Sequence, residues 1–175
     1  NHSNFWCSST DPVQAAKDYL EVLKMAKKAL NDSGTGIKIS DGGLQGQSVI
    51  MLKVAEYLSK GQGDKAALLW KNATNQDKSK EELQNTVNNA PEHLARAKAL
   101  IDGGMWQIVD VVNFHYYQKA ESLPEIIQYL KSQSNGKPIM TNEIGIQSKF
   151  FSDPTVEKGA DDIVKKTILL ISENI

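Results

Sequence analysis

Three short β-type runs, each separated from the next by helical sequence, constrain this chain more than any other feature. They are Ile37-Lys38-Ile39-Ser40, Val109–Phe114 and Pro138–Asn142. The first follows a helix that Asp11 and Pro12 start, the acid at the cap and the proline in the first turn. Val13, Ala16, Tyr19, Leu20, Leu23, Ala26, Ala29 and Leu30 recur along it at three- and four-residue steps, until Asn31-Asp32-Ser33-Gly34 stops it. Pro91 starts another helix, Glu92–Ile101, ended by Gly103-Gly104. Pro124 opens Glu125–Gln133, and a last helix runs from about Thr155 to Ser172. Strands alternating with helices in this way pair in parallel and are covered by the helices, so the sequence predicts the α/β class.

One stretch departs from the alternation. Between Leu44 and Ala90, Val49–Leu58 and Ala66–Trp70 read as helix, interrupted by Gly61, Gly63 and the polar run from Asn72 to Glu82. We read residues 44–90 as a helical insertion inside a single domain that spans 1–175. Composition excludes several function classes. Twenty basic residues against 21 acidic ones give a net charge of −1, which supplies no electrostatic attraction for nucleic acid or an anionic membrane surface. No apolar run approaches the roughly 20 residues of a membrane helix. A single cysteine, Cys7, excludes an internal disulfide framework, and His2, His93 and His115 are too scattered for a metal site, so neither metal nor cofactor is expected. The chain opens at Asn1 without a methionine and closes at Ile175 inside an apolar helical pattern, from which a fragment is expected.

All three runs end in polar clusters: Ser40-Asp41, then Asn113 with His115-Tyr116-Tyr117, then Asn142-Glu143. Parallel α/β folds bind ligands outside the carboxyl ends of their strands. Glu143 leads, because a carboxylate at a strand mouth serves as nucleophile, general base or metal ligand, although a solvated loop glutamate fits the same pattern. His115 and Tyr117 alternate and so face the same way. Adjacent strands lie about 4.8 Å apart, within reach of a tyrosine hydroxyl to Glu143.

Val109-Asp110-Val111-Val112-Asn113-Phe114-His115-Tyr116-Tyr117 and Lys137-Pro138-Ile139-Met140-Thr141-Asn142-Glu143-Ile144-Gly145 together resemble strands six and seven of clan A glycoside hydrolases. These are retaining enzymes on a (β/α)8 TIM barrel. The resemblance implies a partial barrel, strands five to seven with flanking helices, and puts the 44–90 insertion on the active-site face. Glu143 would be the nucleophile, Tyr117 would orient it, and His115 and Asn142 would bind sugar. Asn1-His2-Ser3-Asn4-Phe5-Trp6 resembles the loop just past strand four, so the acid/base glutamate would lie upstream of Asn1 and this piece alone would be inactive. The substrate implied is an oligo- or polysaccharide. The implied partner is the other half of the barrel, or a second copy through exposed sheet edges.

Around that centre, Trp6 and Trp70 would stack on sugar rings, with helix packing in the insertion as the other reading of Trp70. Asp41 reads as a substrate contact or as a turn residue before Gly42-Gly43. Trp106 reads as core and Asp110 as a cap on the barrel floor. Two other functions fit the residues: a small open α/β binding domain without chemistry, and a non-catalytic barrel relic that binds carbohydrate. The triplets at Asn1, Asn31 and Asn72 match glycosylation acceptors by pattern but arise by chance in so asparagine-rich a chain, so the cell location stays open.

Overall fold

The computed structural model describes residues 11–89, 91–150 and 155–175. Helix α1 (Pro12–Ser33) starts as its chemistry demands. Asp11 is extended and its carboxylate accepts the Val13 N–H at 2.9 Å, while Pro12 occupies the first turn, where no N–H is required. Ala16, Leu20 and Leu23 form its buried stripe, and Gly34 closes it at φ 65°.

The strand expected over Ile37–Ser40 is displaced. Ile39 accepts the Asp110 N–H and Ser40 makes a single parallel bridge with Val111, but the ladder resumes only at β1 (Leu44–Gln45), opposite Phe114 and His115. Asp41 causes the break. Its Oδ1 takes the Asn113 N–H at 2.7 Å, a donor that a strand carbonyl would otherwise accept, and Gly42-Gly43 carry the chain past the gap.

Helices α2 (Gly46–Ser59), α3 (Gly63–Thr74) and α4 (Lys80–Asn88) follow. The last begins inside the polar run that the sequence pattern reads as an interruption. A reciprocal cap nucleates it: Ser79 Oγ accepts the Glu82 N–H, the Glu82 carboxylate accepts the Ser79 N–H, and Leu83 anchors the helix in the core. Then come α5 (Pro91–Asp102), the single turn α6 (Met105–Ile108), β2 (Val112–Tyr116), a 3₁₀ turn at Ala120–Ser122 and α7 (Leu123–Gln133). Strand β3 (Ile139–Ile144), a second 3₁₀ turn at Ser148–Phe150 and α8 (Val156–Ser172) complete the order.

The strands form one open parallel sheet in the order β1-β2-β3. Relative to the apolar runs, β2 is shifted toward the C-terminus and β3 is extended. Asp110 turns aside to pair with Lys27 at 2.6 Å and to accept the Ile39 N–H, so β2 starts at Val112. Strand β3 continues to Ile144, which puts Glu143 inside the strand. Period two sends Val112, Phe114 and Tyr116 to the helix-covered side, where all three are fully buried, Phe114 and Tyr116 edge to face at 6.2 Å. Val49, Ile50 and Val54 of α2 and Ile126, Ile127 and Leu130 of α7 fill that core. Trp106 lies in it at 2% exposure. Asn113, His115 and, just past the strand, Tyr117 take the opposite face. No helix among the described residues is long and apolar enough to cross a membrane.

Candidate active site

A β-bulge aims the central carboxylate. Asn113 pairs with Met140, but His115 pairs with Glu143, so two residues of β2 span three of β3. In a regular ladder Asn142 would stand opposite His115 and Glu143 would point into the buried helix side. The extra residue reverses that. Thr141 holds the bulge: its hydroxyl lies 2.7 Å from the Phe114 carbonyl and 3.0 Å from that of Glu143.

Turned this way, Glu143 meets both neighbours on the same oxygen. The Tyr117 hydroxyl donates to Oε2 at 2.8 Å, and His115 Nδ1 lies 3.3 Å from that same Oε2. Among the described residues no hydrogen bond or ion pair engages Oε1, and the side chain is 48% exposed. The Tyr117 phenol is held above its ordinary pKa, because ionising it would set a phenolate against the carboxylate it now hydrogen-bonds. Two glycines make room for the partners. A Cβ at Gly145 would stand 2.6 Å from Tyr117 Cε1, so the phenol ring lies directly on that glycine. A Cβ at Gly43, already at φ 85°, would stand 2.3 Å from His115 Nε2.

Beneath this pair, a polar relay crosses the three strand ends. Asn113 Nδ2 donates to Asn142 Oδ1 at 2.9 Å and reaches the Asp41 carbonyl at 3.4 Å, while Asn113 Oδ1 accepts the Asn142 N–H at 3.3 Å. Asp41 is 3% exposed. The expectation that it contacts substrate is corrected here, since its side chain serves the Asn113 N–H inside the protein. Burial drives its carboxyl up to about 6, against the lowering effect of the Asn113 N–H and of the nearby Trp106 indole. That indole stands close without completing a hydrogen bond, and both Asp41 Oδ2 and Trp106 Nε1 are buried without one.

The structure thus brings together Glu143, Tyr117, His115 and Asn142, with Asp41 behind them. It does not bring Trp70 to them as an open stacking face: the ring is 5% exposed, packs within the core cluster and carries the Lys78 ammonium 4.8 Å from its centroid. The packing reading of Trp70 replaces the sugar-stacking one. Trp6 lies outside the described residues. A surface depression of about 420 Å³ at the α2–α3 turn, lined by Gly61–Lys65 and Lys80, holds none of the strand-end residues. Among the described residues, no three His, Cys, Asp or Glu side chains gather as a metal site.

Three supporting residues escaped the sequence reading. Thr141 carries no signal, because a bulge leaves no mark on an alternation pattern. Asp162 and Lys166 of α8 do leave one: with Gly159 and Leu170 they occupy the helix's buried stripe at three- and four-residue steps, where charged residues stand out. Comparison with protein-family models, with curated proteins and with solved structures finds no match for this chain.

Proposed function

We propose that the Glu143 cluster is the nucleophile half of a retaining glycoside hydrolase site, acting on an oligo- or polysaccharide, and that the three parallel strands are strands five to seven of a (β/α)8 barrel. The observation that carries this reading is the loading of both Tyr117 and His115 onto Oε2. A nucleophilic carboxylate needs one oxygen fixed and the other free, and this arrangement leaves Oε1 to attack. Parallel pairing in chain order supports the barrel, since consecutive barrel strands are neighbours.

In the step proposed, Oε1 bonds to the anomeric carbon as the bond to the leaving oxygen breaks, giving a glycosyl ester. Tyr117 holds Oε2 in place throughout. The acid that protonates the leaving oxygen, about 5 to 5.5 Å away in such pairs, would come from the strand-four segment expected upstream of Asn1, and water then releases the sugar. Against a phosphate-binding α/β module, the glycines near β1 are already filled: His115 covers Gly43, and a Cβ at Gly46 would stand 2.5 Å from Gln118 Oε1.

The test uses leaving groups that need no acid. Dinitrophenyl 2-deoxy-2-fluoroglycosides of glucose, galactose, mannose and xylose are incubated with the chain, and its peptides are weighed. A glycosyl increment on the peptide holding Glu143, absent in Glu143→Gln, is expected from at least one sugar. Binding of oligosaccharide with no labelling would favour the carbohydrate-binding relic, and neither binding nor labelling would end the glycosidase reading.

A further inference from the structure

Lys166 is fully buried, the hardest placement for an ammonium group, and every contact it makes leads back to the strand ends. Its Nζ donates to the Gly145 carbonyl at 2.7 Å, pairs with Asp162 at 2.5 Å and lies 5.6 Å from the Tyr116 ring centre. Asp162 Oδ1 in turn accepts the Ala120 N–H at 2.9 Å. One ion pair on α8 therefore grips two loops: the one that leaves β2 after Tyr116, and the one that leaves β3 after Ile144.

Gly145 is the joint. Its N–H donates to the Tyr116 carbonyl at 3.1 Å, its own carbonyl is taken by Lys166, and its Cα surface supports the Tyr117 ring. Fixing that peptide on both sides fixes the floor under Tyr117 and the exit of the segment that bears Glu143. We infer that Lys166, with Asp162, is a positioning residue that sets the Tyr117–Glu143 hydrogen bond. Its role in catalysis rests on the glycosidase reading, whereas its role in the geometry does not.

Stability alone gives no reason for a lysine here. Replacing a buried ion pair by apolar side chains of similar size is often neutral or stabilising. What an apolar pair cannot do is donate to Gly145 or accept from Ala120. The burial that penalises the ammonium also lowers the Lys166 pKa, against the pull of Asp162.

The test separates positioning from folding. Protein carrying ζ-¹³C tyrosine is prepared, the Tyr117 resonance is assigned with Tyr117→Phe, and Glu143→Gln records its position at pH 7 once the carboxylate partner is gone. Lys166→Met/Asp162→Leu is expected to fold, by thermal melt, and to displace the Tyr117 resonance in the same direction as Glu143→Gln. Lys166→Met/Asp162→Asn, which keeps an acceptor for Ala120, is expected to do the same. A wild-type resonance in either folded variant overturns the inference. So does failure of both to fold, which would make the pair a determinant of the fold. Fluoroglycoside labelling at Glu143 in the same variants is expected to slow at least tenfold. Absence of labelling in the wild-type chain would end the glycosidase reading and leave the resonance to judge the positioning by itself.

Discussion

Asp41 is the buried carboxyl beneath the site. Its carboxyl is pushed up to about 6 in the folded chain, above its ordinary 3.8, so the fold prefers it protonated. Stability is therefore greatest below about pH 4 with respect to this group, falls as pH rises through 4 to 6, and stays lower above that window. The penalty is about 3 kcal/mol. Asp41→Asn cannot titrate, so the stability of wild type relative to Asp41→Asn is expected to improve by about 2.5 kcal/mol, most of that penalty, between pH 7.5 and pH 4. Urea melts at the two pH values measure it, and a difference independent of pH would place the carboxylate in a wetter environment than the structure gives it. Tyr117 is the complementary case, a half-exposed donor to a charged acceptor. The bond is solvent-exposed, so Tyr117→Phe is expected to cost little thermal stability and, by releasing Oε2, to slow labelling of Glu143 by roughly ten- to a hundredfold. Single-turnover labelling rates check it. At this scale the sequence was readable where alternation sufficed. His115 and Tyr117 share a face because period two requires it. That Asp41 turns inward was not readable, because Asp-Gly-Gly fits an exposed turn as well as a buried break in a ladder.

The bulge in β3 is the element on which the site depends. A strand read by alternation alone would send Glu143 to the helix side, so its approach to Tyr117 was inferred from proximity of strands and not from register. The helices were more legible: the Asp11-Pro12 start of α1 and the Pro91 start of α5 are local chemistry. Even so, Ser79-Lys80-Glu81-Glu82 holds a cap signature that its polar surroundings hid. Thr141→Val tests the bulge directly, since valine matches the shape of threonine and removes only the hydroxyl between the Phe114 and Glu143 carbonyls. Loss of about 1 to 2 kcal/mol is expected by denaturant melt. The strand should then slip toward regular pairing, with backbone amide exchange rising at Asn142 and Glu143 and with slower labelling of Glu143. A variant that loses stability but keeps wild-type exchange and labelling would show that the bulge is set by the Asn113–Asn142 pair instead.

The whole sheet ends abruptly on the β3 side. Among the described residues nothing pairs with the outer edge of β3, and the neighbouring α8 exposes Val164, Ile168 and Ile171 at 55%, 60% and 68% on positions that a further helix would cover. An unpaired parallel edge beside an apolar helical face is a surface that a second copy of the chain can use, so the purified chain is expected to associate as its concentration rises. Sedimentation velocity over a hundredfold concentration range measures this, and Val164→Lys/Ile168→Glu should return the monomer without unfolding it, because both side chains already face solvent. The same proposal of a half-built barrel has a chemical consequence. If Glu143 is the nucleophile and the acid/base lies on another segment, activated fluoroglycosides should react while unactivated oligosaccharides are left intact, because an alkoxide leaving group departs only when protonated. The two results are linked through one geometry. A monomer with a cooperative melt that also cleaves an ordinary oligosaccharide would mean that the acid lies within these 175 residues and that the sheet needs no further strands. Association together with reactivity confined to activated substrates is what a site divided between two halves of a barrel must give.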